Sequence, residues 1–436
     1  MKPLFAVQAV DQTFYEQRLR DWLPDKIIDI HTHLWRNPAG ARAAAQPSRS
    51  VTWPARVAAQ NPLEDLVATY ELLFPGKQVT PLMFASAQHQ NLRRANAYVA
   101  RSASRRHFPA LIYSHPRWSA NQLLEEIEQG GFLGAKSYLS LAEDYLPAGE
   151  IRIYDFFPPH QLAALNRRGL ILMLHIPRAA RLRDPVNLAQ LLEIEERYPR
   201  LQVIVAHVGR AYCRPDIGAA FQRLAGTKRL LFDISANTNA EVFRELLRAV
   251  GPRRVLFGSD LPITRMRMRR ICEGGLYVNL VPRGLYGNLA GDKNMRALSG
   301  AAAQGLTFFL YEELDAFRRA AKAERLTQGD IQAVFHDNAA ALLASAAKQP
   351  PQQLRMVYPA ARRIKPRDLK LPPGYQLRTY RADDAEAYIR LMRRAGFRAW
   401  NKDTLQELLR RILPGGIFFI VHQPSGALVA TASALH

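Results

Sequence analysis

Four separated apolar runs in this chain each end in a residue able to bind a metal. That pattern constrains the fold more than any other feature. Ile27-Ile28-Asp29-Ile30 ends in His31-Thr32-His33, Leu170-Ile171-Leu172-Met173-Leu174 in His175, Val203-Ile204-Val205-Ala206 in His207, and Val255-Leu256-Phe257-Gly258-Ser259 in Asp260. One polar residue at a strand end means little. Five candidate ligands at the ends of four strand-like runs imply one shared site. A fold that gathers the C-terminal ends of many parallel strands is then required, and a (β/α)₈ barrel does this.

Side chains alternate along a strand, so His31 and His33 share a face, with Thr32 opposite. Asp29 is placed on that face too, one pleat repeat deeper. It reads either as an orienting partner of a ligand or as a buried, hydrogen-bonded acid. Two imidazoles one repeat apart can chelate one cation, and zinc accepts imidazole nitrogen and carboxylate oxygen.

Further strand-like runs are Val79–Phe84, Ala110–Tyr113, Phe132–Tyr138 and Leu230–Ile234, which brings the set to eight. Amphipathic stretches such as Asn121–Gln129 and Val186–Tyr198 lie between them. Alternation of this kind is the barrel pattern. Residues 35–62 and 262–305 read as long loops emerging at the histidine end, where loops act as lids or specificity elements. Tyr311–Ala321 and Gln328–Ala347 read as closing helices, with Thr327 as an N-cap. His336 lies outside the strand-end set and reads as structural. The organisation expected is a barrel over residues 1–347, a polar, proline-containing linker over 348–373 and a smaller unit over 374–436.

The chain has 436 residues and a formal charge of +22. Arginines spread along its whole length read as a solvated surface, and no basic module with interleaved aromatics points to specific nucleic-acid binding. One cluster differs: Arg265, Arg267, Arg269 and Arg270 closely follow Asp260 and could hold a carboxylate. There is no run long enough to span a membrane and no secretory apolar segment near Met1. With only Cys213 and Cys272, the expectation is reduced thiols and a cytoplasmic location.

Taken together, Ile28-Asp29-Ile30-His31-Thr32-His33, Leu174-His175-Ile176-Pro177-Arg178, Val205-Ala206-His207-Val208-Gly209, Phe257-Gly258-Ser259-Asp260 and Phe335-His336-Asp337-Asn338-Ala339-Ala340 resemble the amidohydrolase-related branch of the metal-dependent hydrolase superfamily. The resemblance implies a TIM barrel with a divalent metal, most simply zinc, as one ion or two. It implies His31, His33, His175 and Asp260 as ligands. His207 would be a catalytic residue or a ligand to a second metal, and Asp260 would also move protons. Lys136, at the end of the fourth strand, is a candidate carboxylated lysine or substrate contact. Arg178 and Arg210 are candidate contacts for a substrate carboxylate. The chemistry implied is hydrolysis of an amide, ester or lactone in a small acidic substrate, with non-oxidative decarboxylation or hydration as the alternative. The expected partner is a small molecule, and assembly of like chains is left open.

Gly374-Tyr375-Gln376-Leu377-Arg378, the helix to Ala395-Gly396-Phe397 and Gly415–Val421 resemble the first half of a GNAT-type acetyltransferase. This implies a short α+β half-domain. The glycine-rich turn that would hold a CoA pyrophosphate is missing from the sequence. An acyltransferase whose CoA-binding half lies elsewhere is therefore a further alternative.

Overall fold

The computed structural model describes residues 4–36, 56–86, 91–289, 291–347, 371–397 and 400–435. The chain divides into two compact units, Met1–Gln352 and Gln353–His436. Most of the long loop expected over 35–62, and nearly all of the linker expected over 348–373, lies outside the described residues.

Eight parallel strands organise the first unit: β1 (Lys26–Leu34), β2 (Gln78–Ala85), β3 (Ile112–Tyr113), β4 (Gly134–Lys136), β5 (Ile171–Leu174), β6 (Gln202–Val205), β7 (Leu231–Asp233) and β8 (Val255–Leu256). β1 pairs with β2, and β3 to β8 form one sheet in sequence order. Met83 N–H and Leu111 N–H exchange bonds with Pro109 and Met83 carbonyls, joining β2 to the edge of β3. Ile30 N–H donates to Phe257 O, and Asp260 N–H to His31 O, joining β1 to the end of β8. The eight strands thus follow one another round a closed ring, as in a (β/α)₈ barrel.

Strand alternation sorts the core into two layers. Ile171, Met173, Ile204, Ala206 and Leu256 pack with Ile28, Ile30 and Phe84 inside the ring. Leu172, Leu174, Val203, Val205, Phe232 and Phe257 pack outward against the helices. Small residues of helix Asn338–Ala347, among them Ala339 and Ala346, join the inner cluster. The intervening helices start and stop where local chemistry dictates. Ser119 caps Ala120–Gly130 in a reciprocal box with Gln122, and Gly131 ends it in the left-handed region at φ 65°. Thr327 caps Gln328–Gln332 as expected, paired with Asp330.

Residues 262–305, expected as a long loop, are built rather than irregular. β9 (Arg269–Glu273) and β10 (Leu276–Pro282) form an antiparallel hairpin, and β11 (Met295–Leu298) adds in parallel to β10. We call this small sheet the flap. Its first strand is tied to the barrel by a disulfide, Cys213–Cys272, across 59 residues of sequence. The expectation of two reduced thiols is therefore corrected. The flap folds back onto the segment after β6, bringing the two Cα atoms to 5.9 Å, within bridging reach. The argument for a cytoplasmic location that rested on free thiols goes with it. Among the described residues, no helix is long and apolar enough to cross a membrane.

The second unit is an antiparallel sheet of β12 (Tyr375–Thr379), β13 (Ile412–His422) and β14 (Ala427–Leu435), in that order, with helices Ala385–Arg394 and Lys402–Arg411. Ile417, Phe419 and Val421 alternate onto one face of β13 and bury against Tyr388, Ile389 and Leu405 of the helices.

Candidate metal centre

At the mouth of the ring, His31, His207 and Asp260 each offer a ligand atom, and these atoms all lie within 4.8 Å of one another. His33 Nε2 is 3.3 Å and His31 Nε2 3.6 Å from Asp260 Oδ1. The His31 ring centroid lies 5.5 Å from that of His33 and 4.8 Å from that of His207. His175 stands one ring further out, 5.3 Å from His207 and 4.6 Å from Tyr138. Four of the five predicted strand-end residues thus meet, and the fifth flanks them.

The backbone departs from regular strand geometry to achieve this. The β1–β2 register shifts between Asp29 and Thr32. Ile28 and Ile30 face the interior, and His31 and His33 follow them into the mouth. Asp29 therefore does not share their face, as simple alternation required. Its Oδ2 accepts from Tyr70 of the outer layer at 2.8 Å. Its Oδ1 accepts the N–H groups of His31 and Ser259 at 3.1 and 2.8 Å. It braces the β1–β8 seam through main chain, without touching the His31 ring. After β6, His207, Val208, Gly209 and Arg210 all have φ between 50° and 61°. Four successive left-handed residues, three of them not glycine, turn the chain sharply and aim His207 inward. Asp260 shares this conformation at φ 58°.

Hydrogen-bond partners fix which imidazole nitrogen is free. Nδ1 of His31 donates to Asp233 Oδ2 at 2.9 Å, and Nδ1 of His33 to the Ala85 carbonyl at 3.1 Å. The Ser235 hydroxyl gives its proton to Asp233 Oδ1, so both oxygens facing His207 Nδ1 are acceptors: the Ser235 carbonyl at 3.2 Å and its Oγ at 2.9 Å. Three histidines are thereby set as Nδ1–H tautomers, with Nε2 as the acceptor nitrogen, which in His31 takes a hydrogen bond from Lys136 Nζ at 2.9 Å. His175 Nδ1 is buried and has no hydrogen-bond partner.

Electrostatics keep these donors in ligand form. Burial lowers His31 well below the usual imidazole value, and the Lys136 ammonium adds to this against Asp260. Burial and the Arg210 cation do the same for His175. Burial also lowers His207, opposed by Asp260 and Asp233. For Asp260, burial pushes the carboxyl up, but positive charge shared with His33, His207 and His31, which face it, outweighs burial and holds it well below the usual range. Neutral imidazoles and an ionised carboxylate around one point fit a divalent cation.

Lys136 is buried at the base of the site, Nζ 2.9 Å from His31 Nε2 and 4.3 Å from the Phe84 ring centre. Burial lowers it to about 8, against the pull of Asp260 and Asp233. Arg210 Nη1 donates to the carbonyls of Ile176, Pro177 and Arg178, lacing the loop after β5 to the loop after β6. Arg178 lies 3.8 Å from Asp184, with a buried Nε that has no partner. The arginines after Asp260 are engaged by the fold. Arg267 pairs with buried Asp11, Arg269 with Glu312, Arg265 with the Val57 carbonyl, and Arg270 with Asn279 and the Ala236 carbonyl. Nearness in sequence to Asp260 does not leave them free.

Three supporting residues escaped the sequence reading. Asp233 is a lone acid in the apolar run of β7, and alternation points it inward. That interruption was the available signal. Ser235, two residues on, had none. Glu313, on helix Phe309–Ala323, is fully buried. Its Oε2 accepts from Ala236 N–H at 2.7 Å, and its Oε1 has no partner.

A family model described as amidohydrolase matches residues 28–344. The chain belongs to the amidohydrolase family. Solved structures similar to this amidohydrolase include one from Burkholderia multivorans with bound zinc, at 16% identity and TM-score 0.46, covering 73% of this chain and 99% of that one. A probable 2-pyrone-4,6-dicarboxylic acid hydrolase from Acinetobacter baumannii has 13% identity and TM-score 0.44, with 73% and 99% covered. A 2,6-dihydroxybenzoate decarboxylase from Rhizobium has 14% identity and TM-score 0.44, with 74% and 99% covered. No curated protein matches the chain. The family match stops before the second unit, and none of the comparisons supports its expected acetyltransferase likeness.

Proposed function

We propose that this amidohydrolase is a metal-dependent hydrolase of a small acidic amide, ester or lactone, with zinc as its metal. One observation carries the reading: three Nδ1–H groups are held by Asp233, Ala85 and Ser235, which leaves Nε2 as the acceptor nitrogen, and the Nε2 atoms of His31 and His33 face Asp260 Oδ1 at 3.6 and 3.3 Å with His207 in the same cluster. Lone pairs facing a carboxylate repel unless a cation or proton lies between them. His31, His33, His207 and Asp260 would hold the ion, with His175 beside them. A divalent metal bound there would supply a water ionising near pH ~7 and would polarise a carbonyl.

The chain's own residues account for the rest. Asp260, ionised at neutral pH, accepts the proton of the attacking water at its carboxylate and returns it to the leaving group. Asp233 holds His31 in position from behind, and Ser235 does the same for His207. Arg178, with its unpartnered Nε, and Arg210, close enough to depress His175, supply positive charge for a substrate carboxylate. Lys136, with Nζ 2.9 Å from His31 Nε2, adds positive charge at the same centre and is the candidate carboxylated lysine or substrate contact.

Metal analysis of the purified protein, with a panel of acidic lactones, amides and esters, tests the proposal. Stoichiometric zinc, turnover lost on chelation and restored by the ion, and loss of both metal and turnover in His31→Ala are expected. Turnover that survives metal removal would overturn it. Carbon dioxide release from an aromatic carboxylate, with no hydrolytic product, would replace hydrolysis by decarboxylation.

A further inference from the structure

The Cys213–Cys272 bond joins two segments that each bear on the candidate centre. Cys213 is buried, six residues beyond His207 on the loop after β6. Cys272 is exposed, on the first strand of the flap. Two residues before it, Arg270 reaches under the flap. Its guanidinium stacks among Tyr212, Tyr277 and Phe309, at 4.5, 4.6 and 4.7 Å from the ring centres. Its Nη1 donates to the Ala236 carbonyl at 2.6 Å. Ala236 follows Ser235, the residue that orients His207. The covalent bond and the Arg270 stack are therefore neighbouring anchors of one strand, and they grip the loops after β6 and β7. Beside the exposed cysteine lies a cleft of about 210 Å³, bordered by Tyr212, Asn239, Glu241, Arg270 and Arg319. It is open to solvent and large enough for the end of a small molecule, and it bears two guanidinium groups, Arg270 stacked under the flap and Arg319 paired with Asp315 at 3.2 Å, against one carboxylate, Glu241.

We propose that Cys272 is a thiol–disulfide exchange site, at which a small anionic thiol opens the covalent anchor of the flap. The reagent's thiolate attacks Cys272 Sγ, the sulfur on the exposed residue. The protein S–S bond breaks and Cys213 leaves as a thiolate that takes a proton from water. A second thiol attacks the reagent sulfur of the mixed disulfide, and Cys272 leaves in turn. In sum, two small thiols lose two electrons and two protons to form their own disulfide, and the protein bond gains them as two cysteine thiols. The cleft's two arginines outnumber Glu241 and favour an anionic reagent beside Cys272, while Cys213, held in the core, is positioned to re-form the bond under oxidising conditions. Once the bond is open, the flap is held by the Arg270 stack and its other noncovalent contacts. This inference needs no assumption about the reaction at the metal centre.

The test uses the full chain and reduced glutathione as probe. Digestion of the air-oxidised protein without reductant should give one linked pair of peptides containing Cys213 and Cys272. Reduction should speed amide hydrogen exchange over residues 269–282 at least tenfold, with β5 and β6 unchanged. Cys272→Ser should exchange like the reduced protein and show no response to glutathione. Cysteamine, a cationic thiol of similar reactivity, should reduce the bond more slowly than glutathione. Absence of the linked pair would overturn the proposal. So would equal exchange over 269–282 in both forms, faster exchange spread evenly through the barrel, or a glutathione response that persists in Cys272→Ser. Equal rates with the two thiols would remove the assignment of an anionic reagent.

Discussion

Replacing Gly258 by alanine tests how closely the β1–β8 seam sets the site. A methyl group there would lie 2.8 Å from His31 Cβ, 3.4 Å from Ile30 Cγ2 and 3.5 Å from Asp233 Cβ. Carbon atoms prefer a separation of about 3.5–4.0 Å, so His31 must retreat by roughly 0.7 Å or more. It cannot do so by a side-chain rotation, since a Cβ moves only with its backbone. That backbone is held on both sides of the contact by Ile30 N–H to Phe257 O at 3.0 Å and Asp260 N–H to His31 O at 2.8 Å. Overpacking of this kind costs about 1–3 kcal/mol. A displacement of that size also exceeds the ~0.5 Å tolerance of a preorganised site. The expected result is a melting temperature lower by several degrees and metal affinity weaker by about tenfold or more, read by calorimetry and by competition with a chromophoric chelator. Gly149→Ala is the control, because a methyl group there meets nothing within 4 Å. If Gly258→Ala melts and binds metal as that control does, the seam does not set the position of His31 and the reasoning fails.

Asp233→Asn removes the carboxylate behind His31 while keeping its shape. Metal affinity should fall about 10–100-fold by chelator competition, and an unchanged affinity would show that the Asp233–His31 contact orients nothing. Glu313→Gln should stabilise the protein increasingly as pH rises. Burial raises the Glu313 carboxyl well above its usual 4.5, so the native state retains a proton that the unfolded chain has lost. Stability of the parent therefore falls as pH rises above about 4.5, through the window up to the raised value, and glutamine is free of this loss. Urea melts at pH 5 and pH 8 should show the gap between the two proteins widening, and a constant gap would refute the assignment.

The strand-end residues were legible because an apolar run that stops at a histidine carries both its secondary structure and its chemistry. The backbone that gathers them was not. The resemblance implied His175 as a ligand and His207 as a catalytic residue or a ligand to a second metal, and the left-handed turn after β6, which no sequence pattern announced, brings His207 within 4.8 Å of His31 and Asp260. Side-chain alternation put Asp29 on the face of His31 and His33, and a register shift in β1 turned it away. The arginines after Asp260 looked available because their partners, Asp11 and Glu312 among them, lie far off in sequence. The same distance hid the disulfide: two cysteines 59 residues apart carry no mark of pairing until a flap folds one onto the other. Glu313 was hidden in an amphipathic helix, where one more acid reads as surface.

The left-handed stretch from His207 to Arg210 also bears on how this protein responds to selection. Each non-glycine residue held there costs roughly 1–2 kcal/mol, and a β-branched valine at 208 is among the least suited to it. A library screened for heat resistance alone should therefore return glycine at position 208. The same relaxation frees the turn that aims His207, so thermostability and catalysis are expected to part company first at this one residue.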